Sequence, residues 1–360
     1  MKPLVLAYYL PQYHHVKEND LWWGKDFTEW TAVKNAEKYY DSHYEPRIPL
    51  KNNYYDLLKK DTFHWQSDLA KEYKVNGFVF FHYYFADGRK ILEKPCENLL
   101  GWTDININYC FSWANLSWTR TWSGIAGGAM NSKFEKYNPS ESSILLLQNY
   151  GTEESWKEHF EYLLPFFKDK RYIKKNNCPV FIFHNPEDID CLEEMVACWR
   201  KLSKQNGFDD LYLIGNIKNS FTEYNMLDAL YAHEPSYLFN EYPAFSDETK
   251  KQICTRYNDY AEVSNWSCNR FYYQRQKMYY GTFVGFDNTP RHAHRGAIID
   301  CCTPIAFKQS LARIYEQSIK NNNDMVFINA WNEWGEGSYM EPDLKYGKGY
   351  LNALKEVIYG

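Results

Sequence analysis

The segment that decides the fold is MVFINAW, residues 325–331, which leads directly into NEWGEG at residues 332–337. An apolar run of this length predicts a strand buried on both faces, as the strands of parallel sheets are. Further runs of the same kind precede it, at residues 4–10, 77–85, 105–113, 179–184, 211–217, 229–235 and 278–286. The sequence therefore predicts eight buried strands.

Amphipathic stretches between these runs predict helices. Helical spacing of apolar residues is found at 63–74, 152–167, 187–202, from Thr303-Pro304 onward, and at 350–358. Asp61 and Thr62 are candidate caps of the first of these helices. Alternation of eight strands with helices predicts an α/β fold, a (β/α)₈ TIM barrel. A doubly wound sheet is the second choice, because no glycine-rich phosphate turn follows an early strand.

Domain organisation follows from what the sequence lacks. No linker, repeat or low-complexity tract divides it, so we expect one catalytic domain over residues 1–360. Residues 12–53 and 239–276 are long for barrel loops. Loops of that length usually carry function or cover the catalytic face.

Composition excludes several classes of protein. With 24% charged and 44% hydrophobic residues the chain is not disordered. A net charge of −5 argues against a nucleic-acid binder, which needs a basic excess. The 19% of aromatic residues fits either a large core or a site where rings stack on sugars. Composition alone leaves those two interpretations open.

The cysteines and the apolar runs bear on location. The nine cysteines show no CxxC motif and no zinc spacing. No run approaches the roughly 20 apolar residues of a membrane span, and the first residues lack a secretory pattern. We therefore expect a soluble cytoplasmic protein with reduced thiols.

Polar and aromatic residues recur at the predicted strand ends, where TIM barrels gather their chemistry. The candidate substrate-binding residues there are Tyr8, Tyr9, Gln12, His82, Tyr83, Tyr84, Trp113, Asn115, His184, Glu234, Asp287, Asn288, Trp331 and Asn332. Trp30 in the first long loop and Arg291 after strand seven complete the set. Trp30 also fits simple loop packing, and Glu234 could pair with Arg291 instead of lining the pocket.

Glu333 and Glu336 carry the most chemistry. On a straight strand, residues three apart point to opposite faces, but Gly335 and Gly337 allow a sharp turn that brings both carboxylates to one mouth. Paired carboxylates are the groups that glycoside chemistry needs, one as acid and one as base or nucleophile. The plain alternative is a polar loop with two solvated glutamates.

The chain resembles the WbsX-like proteins of bacterial polysaccharide gene clusters, relatives of the endo-α-mannosidases of glycoside hydrolase family 99. The matching blocks are residues 7–14, 22–30, 43–47, 77–84, 113–115, 287–291 and 329–341. The resemblance implies the barrel and a site without metal or cofactor that acts on a glycan of surface polysaccharide, O-antigen or capsule. It also implies Glu336 as general acid and Glu333 as the base that takes the proton of the sugar 2-hydroxyl. A 1,2-anhydro sugar then forms, which requires a 2-hydroxyl trans to the leaving group, as in α-mannose or α-rhamnose.

Two other functions remain open from the sequence. The WbsX-like group is often labelled glycosyltransferase, and a metal-dependent nucleotide-sugar enzyme would use a DxD motif. Asp188-Ile189-Asp190 fits those letters but also reads as an acidic first helical turn. A non-catalytic sugar-binding protein is the third possibility.

Overall fold

Parallel strands form the centre of the molecule. The computed structural model describes residues 2–119, 144–270 and 276–359, and in this part of the chain nine strand segments form one parallel ring. In chain order strands one to six are Leu4–Tyr9, Gly77–Tyr84, Asn108–Trp113, Cys178–Phe183, Tyr212–Asn216 and Ala229–Tyr231. Strand seven has two segments, Lys277–Tyr279 and Gly281–Phe283, and strand eight is Met325–Asn329.

Strand seven completes the circle. Its first segment pairs with strand six, and its second pairs with strand eight, with Gly281 beside Phe327. Strand eight in turn pairs with strand one, with Leu4 beside Met325. Gly281 is required there, because a Cβ would lie 2.7 Å from the ring of Tyr231 inside the barrel. The predicted eight-stranded (β/α)₈ barrel is confirmed.

Helices surround the barrel. In the described residues they are α1 Lys17–Trp23, α2 Glu29–Lys34, α3 Lys60–Glu72, α4 Lys94–Gly101, α5 Glu153–Lys168, α6 Leu192–Gln205, α7 Ser236–Glu241, α8 Tyr260–Asn269, α9 Thr289–His292, α10 Pro304–Lys320 and α11 Gly349–Tyr359. Thr303 caps α10 through a bond from Ala306 N at 3.2 Å, with Pro304 at the first helical position.

Some element boundaries differ from the sequence-based ones. The N-cap of α3 is Lys59, so Asp61 and Thr62 lie in the first turn and do not cap the helix. Strand six ends at Tyr231, four residues earlier than predicted. Asp188 ends a 3₁₀ turn at Pro186–Asp188, and α6 begins only at Leu192.

Both long loops contain structure of their own. The first contributes α1 and α2, and α2 packs against α9 and against the 3₁₀ turn Trp334–Glu336. The second contributes α8 and the strand Arg256–Asp259, which joins a side sheet with Ala297–Asp300 and Phe286–Asp287.

Aromatic rings fill the barrel interior. Tyr8 stacks on Tyr231 at 6.0 Å and meets the edge of His233 at 4.5 Å, and Tyr231 contacts Phe327 at 4.6 Å. The rings on alternate positions point the other way, into the layer between strands and helices, where Phe181 contacts Trp199 of α6 at 5.2 Å. The high aromatic content therefore serves the core on both sides of the barrel wall.

None of the nine cysteines takes part in a disulfide. Across the described ranges, no helix combines the length and the apolar character needed to cross a bilayer.

Candidate active site

Two glutamates meet on one arginine at the mouth formed by the carboxyl ends of the strands. Glu333 follows strand eight, and Glu336 ends the 3₁₀ turn Trp334–Glu336. Arg291 of α9 donates from Nη2 to Glu333 Oε2 at 2.8 Å and from Nη1 to Glu336 Oε1 at 2.5 Å. Both carboxylates face the same end of the barrel, as the glycine-bearing turn had suggested.

A third carboxylate belongs to this group. Glu29, the first residue of α2, is fully buried, and its Oε1 accepts from Arg291 Nε at 2.6 Å. Its Oε2 finds no hydrogen-bond partner within the described part of the chain. The sequence analysis selected the neighbouring Trp30 and missed Glu29, although both lie in the block 22–30 that supports the family resemblance. That block was the available signal.

Gly335 makes the close approach of the three carboxylates possible. A Cβ at this position would lie 1.8 Å from Glu29 Oε1 and 2.9 Å from Arg291 Nε. Gly337 has a φ of +59°, in the left-handed region that favours glycine, and a Cβ there would lie 2.6 Å from Arg47 Cζ. The turn therefore depends on both glycines.

Burial dominates the acidity of the pair. It raises the pKa of Glu333 to about 8, against the opposing charge of Arg291 and with the help of the neighbouring Glu336 and Glu29. Burial likewise raises the pKa of Glu336, with Arg291 again opposing. Because the two groups interact strongly, the proton belongs to the pair rather than to one residue. Both shifts favour the protonated form of these carboxyl groups.

Two tyrosines border the carboxylates. Burial raises the pKa of Tyr83, at the end of strand two, and its hydroxyl lies close enough for the charge of Glu333 to raise the pKa and that of Arg291 to lower it. Tyr13 donates to the carbonyl of Asn332 and accepts from the amide of Trp334 at 3.0 Å, which ties the first loop to the catalytic turn. Tyr83 was predicted for the site, whereas Tyr13 was missed.

Further round the mouth, buried polar groups lack partners. In the described structure they are both amide atoms of Gln12, Asn185 Nδ2, Asn216 Oδ1 and His233 Nδ1. These residues follow strands one, four, five and six, and Asn216 also donates to His184 Nδ1 at 3.0 Å. Buried polar groups are normally satisfied, so this set is suited to the hydroxyl groups of a ligand.

Five predicted site residues lie elsewhere and correct the sequence interpretation. Tyr9, His82, Tyr84, Trp113 and Trp331 point away from the mouth, into the layer between barrel and helices. His82 Nε2 lies 2.8 Å from His159 Nε2 of α5, and burial lowers the pKa of His82 to about 3. Tyr84 stacks on the same His159 at 3.9 Å. The strand direction forces this, because successive side chains alternate between the two faces.

Six other predicted site residues have structural hydrogen-bond or ion-pair partners, and four of the six are polar or aromatic residues without charge. Asn115 and Asn185 exchange two bonds, of 2.7 and 2.8 Å, between strand ends three and four. Asn332 does the same with the backbone of Leu10, and Asn288 accepts from Ala297 N at 2.7 Å. Trp30 donates to the carbonyl of Tyr55 at 2.7 Å. Asn115, Asn332, Asn288 and Trp30 therefore position the loops around the mouth.

The remaining two are acids with other partners. Glu234 pairs with Arg270 at 2.6 Å and not with Arg291, which corrects one of the two sequence-based alternatives. Its place in the pocket stays a prediction. Asp287 accepts from Thr289 at 2.6 Å and lies 2.6 Å from His43 Nε2. Partners of this kind hold the pKa of Asp287 low despite its burial.

Comparison with known proteins fits this geometry. A family model described as "Glycosyltransferase WbsX" matches residues 5–354. The chain belongs to the WbsX family. The chain is also similar to the uncharacterized protein WxcX of Xanthomonas campestris pv. campestris strain B100, which is 29% identical over 98% of this chain and 49% of its own length. The WbsX chain thus spans about half the length of the curated relatives it matches.

Solved structures show the same fold. The GH99 endo-alpha-mannosidase from Bacteroides thetaiotaomicron aligns with a TM-score of 0.57 and 12% identity, over 99% of this chain and 95% of that one. A glycoside hydrolase-like protein aligns with a TM-score of 0.57 and 14% identity, over 99% and 94%. At these identities the likeness establishes the barrel and no more.

Proposed function

We propose that this WbsX-family chain is a carbohydrate-active enzyme that cleaves or transfers an α-linked sugar with retention, in the metabolism of a surface polysaccharide. The observation that carries the proposal is the pairing of Glu333 and Glu336 on adjacent nitrogens of one buried guanidinium at the barrel mouth. Burial raises the pKa values of both carboxyl groups. In the proposed reaction one of them acts as the acid and the other as the base.

The reaction has two steps, and each carboxyl group transfers one proton in the first step and one in the opposite direction in the second. The acid gives its proton to the leaving oxygen while the base removes the proton of the sugar 2-hydroxyl. The C1–O bond to the leaving group breaks, the O2–C1 bond forms, and the product is a 1,2-anhydro sugar. Water or an acceptor hydroxyl then opens this ring, giving its proton to the former acid while the former base returns a proton to O2. Two inversions at C1 give net retention.

The family resemblance assigns the acid to Glu336 and the base to Glu333. Solvent exposure agrees with an acid at Glu336, whose side chain is 26% exposed and can reach a leaving group, whereas Glu333 is 6% exposed. Burial by itself favours the proton on Glu333, since its pKa is raised to about 8. Arg291 contacts both, so sugar binding can redistribute one proton within the pair.

The substrate pocket combines ring faces and hydrogen-bonding groups. Tyr83 lies beside the acids, and Tyr8 lies deeper, against His233. The unpartnered atoms of Gln12, Asn216 and His233 are suited to the hydroxyls of one sugar ring. The hydroxyl trans to the leaving group is the chemical requirement, as in an α-mannoside or α-rhamnoside.

The deciding experiment separates acid from base. Aryl α-glycosides with a good leaving group need little protonation, so they should restore much of the activity of Glu336→Gln and none of that of Glu333→Gln. The reverse pattern would exchange the two roles. A 2-deoxy sugar should bind without reacting, because it lacks the 2-hydroxyl that forms the 1,2-anhydro ring. Its rapid turnover would refute the mechanism. NMR of the first product should show a retained α configuration.

A second candidate is a glycosyltransferase that uses a nucleotide sugar, favoured by the description of the family model itself. Incubation with nucleotide sugars and Mn²⁺, with and without an oligosaccharide acceptor, tests it directly. Metal-dependent release of nucleoside diphosphate that persists in Glu336→Gln would favour this second candidate.

The cytoplasmic location stays a prediction. Nine unpaired thiols fit a reducing compartment, where we expect the protein to act on a nascent glycan. Fractionation of cells that express the full-length native gene, with detection of the protein by antibody, would check it.

A further inference from the structure

One buried ionisable group at the mouth has no part in the proposed reaction. Glu29 is 0% exposed, holds Arg291 Nε at 2.6 Å and leaves its Oε2 without a partner in the described residues. Gly335 leaves room for it, since any Cβ there would collide with Glu29 Oε1. A buried carboxylate is costly unless it is paired, so its position beside the reacting pair calls for a function.

The charges around Arg291 do not balance. One guanidinium faces three carboxylates, Glu29, Glu333 and Glu336, at 2.5–2.8 Å. The other ionisable side chains close to this cluster in the described structure are Tyr13, Tyr83 and His292. Burial and the charge of Arg291 lower the pKa of His292 to about 3, and the tyrosines carry no positive charge, so none of the three compensates the carboxylates at neutral pH. Arg47 approaches the same turn through the carbonyl of Gly337, but it is paired with Glu45 and Asp287.

Full ionisation would therefore leave two uncompensated negative charges in a buried site. Like charges at this range disfavour ionisation, and one group of such a set keeps its proton. Glu29 occupies Nε and leaves the two terminal nitrogens to Glu333 and Glu336. The geometry thus separates one fixed carboxylate from two that share the proton.

We infer that Glu29 is a positioning residue whose negative charge obliges the Glu333–Glu336 pair to retain one proton at neutral pH. The inference rests on the proposed function of that pair. Glu29 does not touch the reacting atoms. It acts through Arg291, because it fixes the position of the guanidinium. It also adds a third negative charge to the cluster, which keeps the general acid protonated.

The first test is the pH profile of kcat/KM in Glu29→Gln, which preserves shape and removes the charge. The acid should lose its proton at lower pH, so the alkaline limb should move to lower pH by about one unit or more. The matched control is Asp169→Asn, which breaks another buried carboxylate–arginine pair, with Arg171 at 2.6 Å, beside the start of strand three and so at the opposite end of the barrel. It should cost stability without moving the limb. An unmoved limb in Glu29→Gln would overturn the inference.

Two shorter variants guard against misfolding. Glu29→Asp and Glu29→Asn are alike in size and differ in charge. The limb should stay near its wild-type position in Glu29→Asp and move to lower pH in Glu29→Asn. If the alkaline limb of kcat/KM lay at the same pH in the two variants, only packing would matter at this position, and the inference would be wrong.

A second readout does not depend on turnover. The chain labelled with ¹³C at the glutamate carboxyl carbons can be titrated by NMR, with the signals assigned from Glu333→Gln and Glu336→Gln. One signal of the pair should remain protonated at pH 7 in the wild type and ionise at lower pH in Glu29→Gln. This shift without glycosidase activity would keep the inference and reject the proposed function. Activity without the shift would do the opposite.

Discussion

Glu336 and Glu341 lie five residues apart, on one hairpin segment, yet their surroundings differ. Glu341 is 1% exposed and accepts only from neutral donors: Tyr55 Oη at 2.8 Å, Gln66 Nε2 at 2.8 Å and Trp334 Nε1 at 2.7 Å. Glu336 shares the cation Arg291 with two other carboxylates, and its side chain is partly open to solvent.

The difference separates a structural acid from one with a proposed catalytic role. Burial raises the pKa of Glu341 to about 7, and its hydrogen bonds to Tyr55, Gln66 and Trp334 hold the carboxylate in place. In the Arg291 cluster the pKa values of Glu333 and Glu336 are also raised, but these two carboxyl groups share one cation, and the side chain of Glu336 is 26% exposed. A raised pKa is therefore common to both groups, and the shared cation and the solvent exposure of Glu336 distinguish the proposed catalytic pair.

The largest expected effect is the loss of activity when either glutamate bound to Arg291 is replaced. Glu333→Gln and Glu336→Gln should each lower kcat/KM on a natural glycan by about 10²–10⁴-fold, because each removes one proton-transfer step. Glu341→Gln should keep kcat/KM near the wild-type value once folding is verified by circular dichroism. A loss in Glu341→Gln as large as in the other two would contradict the distinction.

Removing the shared cation should have the next largest effect. Arg291→Met leaves buried carboxylates uncompensated and should lower the free energy of unfolding by about 3–5 kcal/mol. Gln66→Leu, which removes one neutral donor from Glu341, should cost about 1–3 kcal/mol. Denaturant titrations at pH 8 measure both. The cost of Arg291→Met should shrink at pH 5, where the carboxylates can take up protons, and a cost that is constant with pH would argue against charge as its cause.

Glu341 should also contribute to the pH dependence of the free energy of unfolding. Its pKa in the folded chain is raised from the usual 4.5 to about 7. Its stabilising contribution is therefore fully present below pH 4.5 and is lost as the pH rises to about 7, a change of about 3 kcal/mol. Glu341→Gln should remove this share of the pH dependence and lower the slope, whereas Glu333, Glu336 and Glu45, whose pKa values burial also raises, should maintain the rest of it. The exposed Glu356→Gln is the control and should leave the curve unchanged.

The smallest effect concerns a single donor. Tyr55→Phe removes one hydroxyl from Glu341 and should lower the free energy of unfolding by about 1 kcal/mol, with kcat/KM unchanged. Urea unfolding together with steady-state kinetics would measure both quantities. A large loss of kcat/KM would mean that Glu341 is coupled to the catalytic turn through Trp334.

Sequence patterns predicted the barrel well and the pocket only in part. The eight apolar runs all became strands, because runs of strand length separated by amphipathic helices have few other ways to bury their surface. Of the aromatic residues at the strand ends, Tyr8 and Tyr83 face the interior or the mouth, whereas Tyr9 and Tyr84 face the helices. Adjacent residues of one strand cannot share a face.

The sequence by itself determined the barrel and the meeting of Glu333 with Glu336 at the strand ends, since local apolar runs and a glycine-bearing turn are properties of neighbouring residues. Only the tertiary structure decided which strand positions face inward, because strands apolar on both faces carry no alternation to read. It also decided that Glu29 joins Arg291, 262 residues further along the chain. Such a contact depends on how loops fold over the mouth, and no local pattern encodes it.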